Sequence, residues 1–186
     1  MGLICATPTA GSAGVVSGVL LAVIDRLKLT HQQQLDFLFT AGAFGLVIAN
    51  NASISGAEGG CQAEVGSASA MASAALVAAS GGTPDQSAQA VAITIKNMMG
   101  LICDPVAGLV EVPCVKRNAL GSSQAFISAD MALAGIRSVI PPDEVIHAMY
   151  QVGRQMPQIF KETAEGGLAV TPTAQRLSKE ILEKQK

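Results

Sequence analysis

From residue 61 to residue 80 the chain is built almost wholly from Ala, Ser, Gly, Met and Val, and Gly81-Gly82 closes the run. Glycine just past a periodic stretch is a helix-ending signal, so the segment reads as one helix. Its small side chains let neighbouring backbones approach closely, which places it at the centre of a packed helical domain. The flanking segments agree. A first helix is expected over residues 15–29, stopped near Thr30, and a second over 32–50. Thr83-Pro84 sets a capping hydroxyl before a first-turn proline, opening a helix that runs to about Met99. Residues 104–115 carry Pro105, Gly108 and Pro113, which break a continuous helix and predict a loop. Further helices are expected over 122–139, ended by Pro141-Pro142, and from Pro142 to Met156. Thr171-Pro172 repeats the cap-plus-proline signal before a polar, amphipathic last helix. No strand pattern is present. The expected fold is all-α: one compact multi-helix domain over residues 1–186, with a central Ala/Ser/Gly-rich helix and irregular cysteine-bearing loops.

Hydrophobic residues make up 49% of the chain and charged residues only 14%, against roughly 25% charged in ordinary soluble domains. A surface so short of charge is expected to be covered by another domain or subunit. The longest uncharged apolar stretches, 13–24 and 37–49, fall short of the roughly 20 residues of a spanning helix. Met1 opens on Gly-Leu-Ile-Cys without a basic n-region or cleavage site, so the cytoplasm is the expected compartment. A net charge of -2 with dispersed basic residues leaves no electrostatic footprint for nucleic acid.

Four cysteines in such a chain read as thiols or metal ligands rather than a disulfide framework. Cys61 lies in Gly59-Gly60-Cys61-Gln62-Ala63-Glu64-Val65-Gly66, at the start of the central helix. Cys103 and Cys114 bracket the proline-bearing loop. Three thiolates can hold an iron-sulfur cluster and leave one iron without a protein ligand. Buried cysteines also serve as small hydrophobes, and no Cys-x-x-Cys pair is present, so the spacing alone leaves both readings open.

The motif Ser55-Gly56-Ala57-Glu58, the run from Gly60 to Gly66, and Cys103-Asp104-Pro105-Val106-Ala107-Gly108-Leu109-Val110-Glu111-Val112-Pro113-Cys114-Val115-Lys116-Arg117-Asn118-Ala119 resemble the alpha-domain signature of the iron-sulfur-dependent L-serine dehydratases. Thr7-Pro8-Thr9-Ala10-Gly11-Ser12-Ala13-Gly14 resembles it too, although some members carry Asn where this chain has Ala10. The resemblance runs over nearly the whole chain, which it likens to the C-terminal part of the family's alpha chain. It implies a 4Fe-4S cluster on Cys61, Cys103 and Cys114, an open iron as Lewis acid, and dehydration of L-serine to pyruvate and ammonia in amino-acid catabolism and gluconeogenesis. It further implies a beta chain as partner, a general base outside this chain, and leaves room for a homo-oligomer. The 186 residues alone are expected to be inactive.

The substrate residues are expected to be Thr7, Thr9, Ser12 and Asn118. Gly11 and Gly14 permit tight turns, the hydroxyls can donate, and the free N–H groups of the following helix attract a carboxylate. Plain helix capping competes with this reading. Lys116 is expected to be solvated, Glu58 and Glu64 to be structural helix-start carboxylates, His31 and His147 to lie on the surface or in the core without a catalytic role, and Cys5 to be a buried thiol. Two alternatives stay open: a cysteine desulfidase of the same domain family, and a non-catalytic helical interaction module.

Overall fold

The computed structural model describes residues 3–5 and 9–184, the side chains of 10, 12 and 184 excepted. Eight α-helices follow one another among the described residues: α1 (Ala10–Leu27), α2 (His31–Asn51), α3 (Gly56–Gly59), α4 (Ser67–Ala79), α5 (Pro84–Met98), α6 (Cys114–Leu133), α7 (Pro142–Gln155) and α8 (Pro172–Lys184). There are no strands among them, only one isolated parallel bridge between Cys103 and Lys161. The all-α expectation holds.

The Ala/Ser/Gly-rich segment is central, as its side chains require. Residues 67–77 of α4 are all buried, and α1, α2, α5 and α6 pack around them. Close approach depends on glycines facing α4. A Cβ on Gly45 of α2 would stand 2.8 Å from Met71 Cε, and one on Gly121 of α6 would stand 2.5 Å from Ser69 Oγ. Apart from Ser67 Oγ, which finds no partner among the described residues, the buried serine hydroxyls on and against α4 are bonded: Ser69 donates to Val65 O (2.6 Å), Ser73 to Ala70 O (2.8 Å) and Ser87 to Ala74 O (3.0 Å). Polar atoms can therefore line a core without the desolvation cost of an unmade bond.

Helix starts follow the local chemistry. Thr30 and Thr83 each form a capping box, with Gln33 and Gln86 respectively, and Pro84 occupies the first turn of α5. Gly81, at φ 83°, ends α4 in the left-handed region. Three boundaries differ from the sequence expectation. Helix α1 begins at Ala10, ahead of residue 15, and α6 begins at Cys114, ahead of residue 122. Pro113 sits just before α6 and its carbonyl accepts from the Lys116 and Arg117 amides, so the proline starts the helix rather than prolonging the loop. Helix α6 then ends at Leu133 because Gly135 takes φ 85°, well before Pro141.

The charge-poor exterior is visible as exposed apolar side chains on α1 and α2, among them Leu21, Leu46 and Phe39, the last 74% exposed. No described helix is long and apolar enough to cross a membrane.

Candidate metal centre

Cys61, Cys103 and Cys114 come from three separate pieces of backbone. Cys61 stands at the joint between α3 and a π-helical turn, Gln62–Gly66, that leads into α4. Such turns are rare and frequent at functional sites. Gly60 makes the joint feasible: its φ is 76°, and a Cβ there would press on Met156 Sδ (2.7 Å) and Leu101 O (2.8 Å). Gln62, fully buried, locks the turn. Its amide N–H donates to Leu101 O (2.9 Å), its side-chain oxygen accepts from Gly100 N (2.9 Å), and its side-chain nitrogen donates to Met149 O (3.1 Å).

Cys103 is held in an extended stretch by its neighbours across the bridge. Its N–H donates to Phe160 O (2.8 Å) and its carbonyl accepts from Glu162 N (2.9 Å). Cys114 is the first residue of α6 rather than a loop residue, which corrects the expectation that it lies in an irregular segment. Cys61 and Cys103 are buried, Cys114 is half-buried, and Cys61 and Cys114 line one cavity of about 160 Å³ with Glu64 and Asn118.

Arg117, one turn along α6 from Cys114, points back over this group. Its Nη1 donates to Asp104 Oδ1 (2.7 Å) and Ile102 O (2.9 Å), and lies 3.6 Å from Cys61 Sγ. The thiols are consequently unequal. A hydrogen bond donated by Cys103, aided by the Arg117 guanidinium, holds the Cys61 thiol below its ordinary value against the opposing effect of burial. That bond and burial push Cys103 up, and burial pushes Cys114 up. Sequence reasoning stopped short of this role for Arg117. Its one sign in the sequence is the i, i+3 spacing from Cys114, which puts both on one helix face.

Two carboxylates complete the centre. A Cβ on Gly56 would stand 3.0 Å from Cys103 Sγ, 3.2 Å from Glu64 Oε2 and 3.3 Å from Glu162 Oε2. Gly56 thus leaves a hollow bounded by a cysteine sulfur and two acids. Glu162, which the sequence did not single out, reaches it from a backbone at φ 66°, a conformation uncommon outside glycine. Glu64 is more than a helix-start carboxylate. Its Oε1 accepts from Gly11 N at 3.1 Å, and its carboxyl is pushed up by burial and by the nearby Glu162. The first turn of α1 therefore binds a carboxylate as its geometry predicts, and that carboxylate is the chain's own.

Of the four substrate candidates, Thr7 and the Ser12 side chain lie outside the described residues. Thr9 is buried, with its hydroxyl 3.4 Å from Glu64 O. Asn118 lines the cysteine cavity, and its amide packs on Gly14, where a Cβ would come within 2.8 Å of Nδ2. Lys116 is exposed, as expected, and Glu58 accepts a hydrogen bond from Ser53 Oγ (2.8 Å) at the surface. Both histidines are exposed. Cys5 is exposed as well, against the expectation of burial: residues 3–5 line an apolar groove with Leu20, Leu21 and Leu38 of α1 and α2.

Among the described residues, no three Cys, His, Asp or Glu side chains stand together at the spacing of one metal ion. A cluster asks for a different spacing, because each thiolate takes its own iron instead of sharing one tetrahedral ion. Two soft sulfur donors on a small cavity, a third on Cys103 hydrogen-bonded to Cys61, a cation to offset thiolate charge and a hollow beside Cys103 suit such a group.

Comparison with known proteins adds the lineage. The model of the family described as "Serine dehydratase alpha chain" matches residues 1–169. A probable L-serine dehydratase, alpha chain, of Bacillus subtilis is 70% identical over 97% of this chain and 60% of its own length. A protein of the same description from Latilactobacillus sakei is 60% identical over 97% of this chain and 87% of its own, and the L-serine dehydratase, alpha chain, of Peptoniphilus asaccharolyticus is 49% identical over 98% and 63%. The chain thus spans about 60% of the Bacillus and Peptoniphilus relatives. On the strength of that match over nearly all its residues, the chain belongs to the serine dehydratase alpha chain family.

Proposed function

We propose that this chain is the cluster-bearing part of an L-serine dehydratase, with Cys61, Cys103 and Cys114 as ligands of a 4Fe-4S group and a beta chain as partner in the cytoplasm. The observation that carries the reading is that Cys61 shares a cavity with Cys114 and a hydrogen bond with Cys103, beside the Arg117–Asp104 ion pair. When bound, the cluster supplies an iron free of protein ligands, a Lewis acid that eases departure of the serine hydroxyl.

The chain's own groups then have defined tasks. Arg117 favours the thiolate of Cys61, and Asp104 fixes Arg117 through its Oδ1 while its Oδ2 accepts from Leu168 N (2.7 Å). Asn118 lines the space beside the cysteines and offers an amide for the serine carboxylate, and the Thr9 hydroxyl, 3.4 Å from Glu64 O, stands on the backbone of a residue that lines the same space. Because Gly11 N already serves Glu64, the substrate carboxylate relies on these side chains or displaces Glu64. Loss of the α proton and of hydroxide gives 2-aminoacrylate. Its tautomer takes up water and releases pyruvate and ammonia, and the base is assigned to the partner or to further alpha-chain residues.

The test is anaerobic reconstitution with iron and sulfide, addition of the partner chain, and measurement of pyruvate from L-serine and from L-cysteine. Turnover of serine to pyruvate and ammonia supports the proposal. Faster sulfide release from cysteine identifies a desulfidase instead.

A further inference from the structure

A second cavity of about 520 Å³ lies between α3, α7 and the segment that follows α7, and it shares no lining residue with the cysteine cavity. Ser53, Glu58, Tyr150, Arg154, Gln158 and Lys161 supply its polar lining. Arg154 and Lys161 form no ion pair among the described residues. The Arg154 guanidinium carbon stands 6.0 Å from the Tyr150 ring centroid, a contact that steadies it at the cavity wall. Two cations without an ion-pair partner, set against one carboxylate on the same concavity, leave an excess of positive charge that attracts an anion, and the volume falls in the range of small-molecule sites.

Glu58 decides which anion. Its carboxylate lines the same cavity and would repel a phosphate dianion, whereas it offers a partner to an ammonium group. From this arrangement we infer that the cavity is a second site, for a small α-amino acid zwitterion, with the carboxylate toward Arg154 and Lys161 and the ammonium toward Glu58. The site is wired to the cysteine centre through the backbone. Lys161 is bridged to Cys103, and Gly153 of α7 packs so closely on α3 that a Cβ there would stand 3.0 Å from Gly59 Cα. Occupancy therefore bears on the stretch that carries Cys103. That last consequence rests on the dehydratase reading, while the binding itself does not.

Tyr150 is the only tyrosine in the chain, which has no tryptophan, so its emission reports this cavity directly. The metal-free chain is titrated with L-alanine, which has no β leaving group, and in parallel with propionate and inorganic phosphate, using Tyr150 fluorescence and calorimetry. Expected are a saturable response to L-alanine, weakened roughly tenfold or more by Arg154→Gln and by Lys161→Gln, and a weaker response to propionate whose deficit disappears in Glu58→Gln. Silence in both measurements, or an L-alanine affinity untouched by both cation substitutions, overturns the site. A stronger response to phosphate than to L-alanine overturns the zwitterion assignment. Since no metal or turnover enters the measurement, failure of the dehydratase reading and failure of this one are separable.

Discussion

Arg117 and Asp104 form a buried ion pair, 2.7 Å from Nη1 to Oδ1, with the two side chains 15% and 2% exposed. It ties together all three cysteine segments: Asp104 adjoins Cys103, Arg117 rides on the helix that begins at Cys114, and the same Nη1 reaches Cys61 Sγ. Removing one partner strands the other charge in a poorly solvated place, which is costlier than never having had the pair. Asp104→Ala is expected to destabilise the metal-free chain by about 3–5 kcal/mol, read from the urea midpoint at unchanged slope. Arg117→Lys keeps the charge but loses the planar fork, so a smaller stability loss accompanied by poorer iron retention is expected.

Gly56 supplies a test that is mainly steric. A methyl group there would enter the hollow beside Cys103 Sγ, Glu64 Oε2 and Glu162 Oε2. Gly56→Ala is expected to leave the helical circular-dichroism signal near wild type while iron bound after anaerobic loading falls by more than half. Full iron content in that variant would show that the hollow is not used.

Thr9 and Asn118 should act on substrate rather than on iron. Thr9→Val is expected to raise KM for serine several-fold with kcat little changed. Asn118→Asp adds an anion to the cavity lining and is expected to raise KM about tenfold or more, equivalent to about 1.4 kcal/mol. Both variants should load iron normally, and an unaltered KM in the two of them removes these residues from the substrate site.

Local chemistry makes much of the architecture readable in the sequence itself. Thr83-Pro84 and Gly81-Gly82 announce a helix start and a helix end through short-range bonding, and both sit where the sequence puts them. The composition of the 61–80 segment likewise implies the packing partners that α4 has. What escaped depends on distant residues. The π-helical turn after Cys61 is held by Gln62 bonding to Gly100 and Met149, and neither partner is recognisable from the local sequence. Glu162 lies 98 residues beyond Glu64, and only the bridge at Cys103 and Lys161 brings it to the centre. The early start of α6 was hidden because Pro113 reads as a breaker in isolation, although a proline at a helix entrance promotes the turn that follows it.

A pH test concerns Asp85, in the first turn of α5, and Arg137, in the loop after α6, which pair at the surface. The guanidinium holds the Asp85 carboxyl below its ordinary 3.8. A depressed carboxylate contributes stability that is complete above the ordinary value and is lost as pH falls through the folded one. Asp85→Asn should therefore lower the melting temperature slightly near neutral pH, with the gap closing in acid. Added salt should shrink it too, because both side chains are solvated. Equal melting curves at neutral pH and low salt would show that the pair contributes nothing.

The central claim is that Cys61, Cys103 and Cys114 hold one cluster, and anaerobic reconstitution with iron and sulfide, read by visible absorption and bound iron per chain, addresses it most directly. A 4Fe-4S spectrum is expected in the wild-type chain, lost in each of the serine variants at these three positions and retained in Cys5→Ser. A wild-type chain that takes up no cluster, or a spectrum that survives Cys103→Ser unchanged, would contradict it.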